Sequence, residues 1–470
     1  MPVHFYDAIT VGQSPSHGQV AQFHSVLLTK DQPAQLAVTT IRLRDDLWID
    51  PETFEFDYLF DSPLDEGPDE YEWSREAARL FSMRGCLHIG FGSSTMYDSY
   101  IRNTLYRNLS EFPNTGHYHD SRNLDLATVI RAVHTLRPET LPWDLGPRIE
   151  TDFDIRHRLM WDSGMAPSNR ALSIINLLSD LHKASPSLVG FALSRTSVQQ
   201  LKDAFGFEDG GISSLSSIKP CFLCHETIMT ERRAGMFMPV AVDINNPDIV
   251  YLADLESDLS ELCDPDYPSL STLERTTEAE TNLPLVRVDL SHIPFMAPLS
   301  AVRREDAARL GISVAVVKAN VERLRQSTVV VRRLLDEPIM SEISLSSDAD
   351  HRRLAGDYSE ADRRLLTKLH ETQLFDWPGI LAGASDFRLR ELGKRMLLRY
   401  APGVMSEQEQ TNWKQRVQAR VAGSVFTPDQ VEMILMQAEN NATAMPTARG
   451  ICDLSTRIQR LLGREDVASN

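Results

Sequence analysis

No uninterrupted apolar run of about 18 residues occurs in this 470-residue chain, so the sequence offers no candidate membrane span. Its opening, Met1-Pro-Val-His-Phe-Tyr, lacks a basic stretch followed by an apolar one, and no secretory signal is readable there. Cysteine is scarce and odd in number (Cys86, Cys221, Cys224, Cys263 and Cys452), which suits reduced thiols and a cytoplasmic location better than a disulfide framework. Positive charge is in deficit: 48 Lys and Arg against 66 Asp and Glu leave a formal charge of −18. Such a surface repels nucleic acid in bulk, so any DNA binding must come from local basic patches.

What remains is ordinary for a folded chain. Apolar residues make up 42% and charged residues 24%, with 23 Gly and 25 Pro, so collagen-like and wholly disordered readings fall away. At roughly 150 residues per domain the length predicts two to four domains.

Val3 to Thr10 and Gln22 to Leu28 read as strands flanking a Gly/Ser/Pro turn. Asp50 to Glu76 is crowded with acids and reads as a solvated loop. A helix then leads into a strand at Cys86 to Ile89, and Leu124 to Leu136 predicts a helix that stops before Arg137-Pro138. Ser168 is a candidate cap for a helix carrying Ile174, Ile175, Leu178 and Leu181 at helical spacing. Alternating strands and helices predict an α/β domain ending near residue 200. Short β pieces follow at Met236 to Val242, Ile249 to Ala253 and Leu285 to Val288. Helices return at Arg304 to Leu310 and Val316 to Leu335, and Ser344 to Asp350 reads as a polar linker. Beyond it, Ser359 with Asp362, Ser406 with Glu409, and Thr427-Pro428 are helix-start signals, so the last third reads as all-α.

Three separated stretches resemble the exonuclease I family of single-strand-specific 3′→5′ DNA exonucleases (DEDDh type). They are Phe5-Tyr6-Asp7 with Ala21-Gln22-Phe23; Arg102-Asn103 and Tyr106-Arg107-Asn108 through Asp125-Leu126 and Leu136-Arg137-Pro138-Glu139; and Arg303 to Ile312 with Leu324-Arg325 and Ser359 to Asp362. Lys219-Pro220 and Trp413 match more weakly. The resemblance spans nearly the whole chain in order. It implies an RNase H-like exonuclease domain (1–205), an SH3-like domain (206–345) and a helical C-terminal domain (346–470), together clasping one DNA strand.

Two-metal phosphodiester hydrolysis needs several carboxylates converging on the ions, and a base for the attacking water. In the family the first motif is Asp-x-Glu on a strand, where period-two alternation sets both acids on one face. Here it reads Asp7-Ala8-Ile9. Matching Gly90 and Arg102-Asn103 puts Tyr97 at the second-motif aspartate, with Asp98 one position later. The match through Phe153, His157 and Ser168-Asn169, with one insertion, puts Ala171 at the third-motif histidine and Asn176 at its aspartate. One carboxylate–cation pair at about 4 Å contributes about 4 kcal/mol at an effective dielectric of about 20, and that attraction is forfeited several times over. What the resemblance leaves is a degenerate centre with Asp7, and Asp98 if it slips inward, as weak Mg²⁺ ligands and no base.

Binding surfaces need shape and positive charge rather than metal geometry. The resemblance implies that Arg137, Lys219, Arg303 and Arg325 dock single-stranded DNA or the acidic tail of single-stranded-DNA-binding protein, with Phe237 stacking on a base. Pro298 and Phe191 stand where the family is polar or hydroxylated, which weakens the tail pocket, and Arg303 and Arg325 can instead pair with Glu305, Asp306 or Glu322.

Three other signals carry less. Cys221-Phe-Leu-Cys224-His225 has the spacing of c-type haem attachment but reads better as a buried strand, and no second Cys pair completes a zinc site. His117 and His119 flank Tyr118 in a polar loop, and Gly90-Phe91-Gly92 lacks the third glycine of a dinucleotide motif. The reading is therefore a pseudonuclease of DNA repair or defence that binds single-stranded DNA or joins a complex. The alternatives are an active 3′→5′ exonuclease with a rebuilt site, or an interaction scaffold without DNA affinity.

Overall fold

The computed structural model describes residues 1–47, 66–110, 122–143, 169–264, 284–327 and 347–422, apart from 13, 31, 208–211, 213, 226–227, 229–233, 244–245, 261, 354–355 and 357. His117, His119, Phe153, His157, Ser168 and Thr427-Pro428 lie outside the described residues.

The first unit is built on a five-stranded sheet in the order β3-β2-β1-β4-β5. Strands β1 (Val3–Val11), β2 (Gln19–Thr29) and β3 (Gln32–Thr40) pair antiparallel. Helix α1 (Glu70–Phe81) follows, and β4 (Leu87–Gly90) pairs parallel to β1. Helix α2 (Asp98–Arg107) leads to β5 (Arg122–Asp125), parallel to β4, and α3 (Leu126–Leu136). Helices α4 (Arg170–Ala184), α5 (Pro186–Leu193) and α6 (Val198–Phe205) complete it.

The predicted strands form because alternation puts Phe5 and Ile89 on one side of the sheet and Tyr6 with Phe23 on the other, each within its own core cluster. Helix α3 starts on the Asp125 side chain, which accepts from Ala127 N, and ends before Pro138 as expected. Edge strand β3 is an addition to the expected elements: Ala34, Leu36 and Val38 alternate in it, but the strand is exposed along most of its length and carries Pro33, which an edge tolerates. The acidic segment expected to be a solvated loop is helical from Glu70 onward. Asp69 and Glu72 form a capping box, Trp73, Ala77 and Leu80 face inward, and Glu70 is fully buried.

The second unit is an antiparallel sheet ordered β10-β6-β7-β8-β9. It comprises β6 (Cys221–Cys224), β7 (Ala234–Val242), β8 (Ile249–Asp254), β9 (Leu285–Asp289) and β10 (Phe295–Pro298), followed by α7 (Arg304–Arg309) and α8 (Val314–Gln326). The Cys221–Cys224 segment is the buried strand expected of it: Cys221 and Leu223 enter one core cluster, Phe222 and Cys224 the other. Burial pushes the Cys221 thiol well up, so it is inert as a ligand.

The last unit holds α9 (Glu360–Glu371), α10 (Trp377–Leu381), α11 (Phe387–Tyr400) and α12 (Glu407–Ala422). Ser359 caps α9 through Asp362 N as predicted. The proposed linker is different where described: Ala349 and Asp350 are buried in a 3₁₀ turn, and the Tyr106 hydroxyl donates to Ala349 O at 2.9 Å.

One core joins the first two units. Val129, Ile130 and Val133 of α3 cluster with Phe5 and Ile89 on one side and with Phe222, Phe295 and Ala297 on the other. Tyr106 and Leu109 in turn cluster with Leu369, Trp377, Leu392 and Met396 of the helical unit. Ion pairs brace the first unit just behind that seam. Glu70, enclosed, accepts from Arg44 at 3.0 Å and Arg107 at 2.9 Å.

Candidate functional site

Asp7 sits in the middle of β1 and is 1% exposed. Its Oδ1 accepts the Ala8 N–H at 2.9 Å, and its Oδ2 accepts Arg170 Nε at 2.8 Å. Arg170, equally enclosed, is the first residue of α4 and is placed there by two anchors. Asn169 caps the helix through Ala171 N while its amide donates to Ser25 O and Ala37 O, both at 3.2 Å. The Arg170 N–H donates to His24 Nδ1, also at 3.2 Å. The helix start is thus pinned to β2 and β3, and a guanidinium is delivered to the one acid of the first motif. Asn169, not Ser168, is the cap.

The other matched positions are closed by packing. Ile9 is 1% exposed. Tyr97 fills its place with a ring 5.6 Å from Tyr6, its hydroxyl donating to Tyr6 O at 3.0 Å and accepting from Phe91 N at 3.1 Å. That hydroxyl lies against Gly90, where an added Cβ would come within 2.7 Å of it, so only glycine fits. Asp98 accepts the Tyr6 hydroxyl at 2.7 Å. Since neighbouring side chains leave a strand on opposite faces, Asp98 is engaged on the side of β1 away from Asp7. Burial holds its carboxyl above the usual range, which opposes metal ligation. Ala171 is buried and Asn176 is exposed on α4, so the third-motif match needs a shift: the residue that α4 presents to Asp7 is Arg170.

These residues do not fit a two-metal centre. Asp7 is neutralised by Arg170, and among the described residues no group of three metal-ligating side chains gathers at Asp7.

The basic residues form two pairs. Arg137 and Arg303 meet at buried Asp306: Arg137 Nη1 donates to Oδ2 at 2.5 Å, Arg303 Nη2 to Oδ1 at 2.9 Å. Arg303 also donates to Glu139 at 2.9 Å, and Arg309 lies 3.6 Å from Asp306. Burial would raise the Asp306 carboxyl, but the Arg303 hydrogen bonds and the Arg137 charge outweigh it and hold it below its usual range. Three arginines against two acids leave this cluster net positive. Lys219 and Arg325 are exposed and meet at the turn before β6, donating to Ala204 O (3.2 Å) and Ile218 O (3.4 Å). Arg325 makes no described pair with Glu322, which binds Gln326 instead.

Phe237 is a correction. It is 2% exposed in the second-unit core, with its ring over Gly235, where an added Cβ would meet it at 2.9 Å, so it offers no face to a base. Phe191 instead packs 5.9 Å from Phe295 and carries Arg195 3.8 Å above its ring. Pro298 ends β10, exposed. Sequence reasoning missed Arg170 altogether. An arginine at a helix start is unremarkable in sequence, and only the fold sets it against Asp7.

Known proteins supply a frame for this geometry. Residues 223–337 match the Exonuclease I SH3-like domain, and residues 347–447 the Exonuclease I C-terminal domain. The chain is similar to Exodeoxyribonuclease I of Escherichia coli (strain K12), 25% identical over 395 residues covering 79% of each. It is also similar to the Buchnera aphidicola (Schizaphis graminum) protein of that name, at 21% with 87% and 85% covered. Among solved structures it superposes on E. coli Exonuclease I in complex with a 5cy-dA13 oligonucleotide, at a TM-score of 0.77, 21% identity and 98% of each chain. A structure of SSB/Exonuclease I with the inhibitor CFAM gives 0.79 and 21%, covering 97% of this chain and 99% of that one.

Proposed function

We propose, for a chain that belongs to the exonuclease I family, a member that has lost hydrolysis and acts by binding single-stranded DNA or an acidic protein tail. The observation that carries this reading is the Asp7–Arg170 ion pair, 2.8 Å long and enclosed, where metal-dependent hydrolysis would require a carboxylate open to the ion. A guanidinium held by the fold supplies positive charge permanently, so a divalent ion would have to displace a buried, hydrogen-bonded arginine to reach the carboxylate. Ile9 and Tyr97 add no ligand oxygen charge.

The binding half of the proposal rests on Arg137, Arg303 and Arg309 around Asp306, and on Lys219 with Arg325. The relatives crystallised with oligonucleotides and as SSB/Exonuclease I support these two ligand classes. The tail of single-stranded-DNA-binding protein would present carboxylates, which compete for arginines that Asp306 now holds. We place the domains at 1–205, 206–345 and 346–470, and the protein in the cytoplasm in DNA repair or defence.

The test combines two assays on one sample. A labelled single strand should stay intact with Mg²⁺ or Mn²⁺, while oligonucleotide or acidic-peptide binding should weaken as salt rises. Digestion that disappears in Asp7→Asn would overturn the loss of hydrolysis. Salt-independent absence of both ligands would leave the scaffold reading in its place.

A further inference from the structure

Away from Asp7, the turn between β1 and β2 meets the start of the helical unit through two imidazoles. His17 Nε2 lies 3.0 Å from His351 Nε2, and a carboxylate oxygen of Asp348 falls within 4.8 Å of a ring nitrogen of each. Two nitrogens aimed at one point across a seam between units can share one proton or one metal ion.

Unmet hydrogen-bonding capacity separates these. His17 Nδ1 is enclosed and without a partner, 3.9 Å from Asp350 Oδ2, too long for a hydrogen bond. With protein atoms alone, either tautomer of His17 leaves that nitrogen unmet, which buried polar groups rarely are. On the far side Asp350, 2% exposed, has its Oδ1 without a partner as well. A metal at the two Nε2 atoms fixes the proton on Nδ1, aimed at Asp350. That is the usual carboxylate–histidine–metal arrangement, reached by a small movement of the ring.

The backbone under His17 is already rigid. Arg44 donates to His17 O at 2.6 Å, and Arg107 donates to Ser16 O at 2.7 Å and Gly18 O at 2.8 Å. Asp348 Oδ1 accepts from Arg395 at 2.7 Å and from the Asp350 N–H at 3.1 Å, and its Oδ2 from Arg416 at 2.5 Å, which fixes the carboxylate in place beside the two rings. Those arginines and Arg420 disfavour hard cations that rely on carboxylate charge, and leave ions that bond well to imidazole.

We propose that His17, His351 and Asp348 form a binding site for a zinc-class divalent ion that clasps the β1–β2 turn to the helical unit. Two imidazoles and one carboxylate make a three-ligand set with an open fourth position, as zinc accepts. The site is separate from Asp7, so it stands whether or not the protein hydrolyses DNA.

The experiment uses the full chain, free of any histidine tag and stripped with a chelator, titrated with Zn²⁺ by calorimetry and with Co²⁺ by visible absorption. One equivalent of Zn²⁺ should bind with a Kd below about 10 µM and raise the unfolding temperature. Co²⁺ should give the visible bands of a four-coordinate ion. His351→Gln, an exposed change compatible with folding, and His17→Gln should each weaken binding at least about tenfold and abolish the thermal shift. Absence of binding to the wild-type chain, or equal binding in both variants, would overturn the site.

Discussion

Arg399 and Asp46 meet as a two-bond fork, Nε to Oδ1 at 2.9 Å and Nη2 to Oδ2 at 3.0 Å, joining α11 to the segment after β3. Both side chains are enclosed, and Arg399 also lies 5.2 Å over the Trp413 ring. The planar fork suits arginine and not lysine. Arg399→Ala should therefore cost about 1.5–3 kcal/mol by removing both bonds of the fork and leaving Asp46 to the longer contacts of Arg44 (3.3 Å) and Arg420 (3.6 Å), and Arg399→Lys should recover little of it. Urea unfolding followed by Trp fluorescence measures both.

Acid should loosen the first unit beside this seam. Burial raises the Glu70 carboxyl, but the Arg107 and Arg44 charges outweigh it, bringing it from 4.5 down to about 2. A carboxyl lowered by folding contributes stability that is complete above its unfolded value and lost as pH falls through the folded one. Stability should thus decline between about pH 4.5 and about pH 2, and Glu70→Gln should flatten that slope while lowering stability at neutral pH. Unfolding midpoints measured across this range decide it.

At Asp7 the expected outcomes separate charge from catalysis. Arg170→Met should destabilise by about 3–5 kcal/mol, because it leaves a buried carboxylate unpaired, and Asp7→Leu with Arg170→Met should recover much of the loss. Unfolding free energies of both single variants and the double variant test the pairing. Nuclease activity should stay at background in all three.

Gly90→Ala should cost about 1–3 kcal/mol, since its Cβ would fall 2.7 Å from the Tyr97 hydroxyl and 2.5 Å from Ser93 Cβ. Tyr97→Phe in the same chain should relieve only part of this, because Ser93 remains. Thermal unfolding of the single and double variants gives the comparison.

The elements most legible in sequence were those whose signal is local. The alternation of Val3 to Thr10, the proline stop after Leu136, and the Ser359 cap each depend on neighbours in the chain. Ile9 and Tyr97 were visible as departures from an acidic pattern for the same reason. The exposed β3 and the buried Glu70 were not, because a strand edge and an ion-pair hub are defined by partners distant in sequence. Arg170 and the His17–His351 contact belong to that second kind, as does the burial of Phe237, whose aromatic character alone says nothing of which way it faces.

Helix α3 has no solvent side to speak of, since Ala127, Val129, Ile130, Ala132 and Val133 are each fully enclosed between the two sheets. A fragment ending at residue 205 would therefore bare a greasy stripe and clump, so the opening nuclease-like lobe is inseparable from the sheet behind it. Any swivelling that admits a ligand must take place elsewhere, with these two lobes turning as one piece.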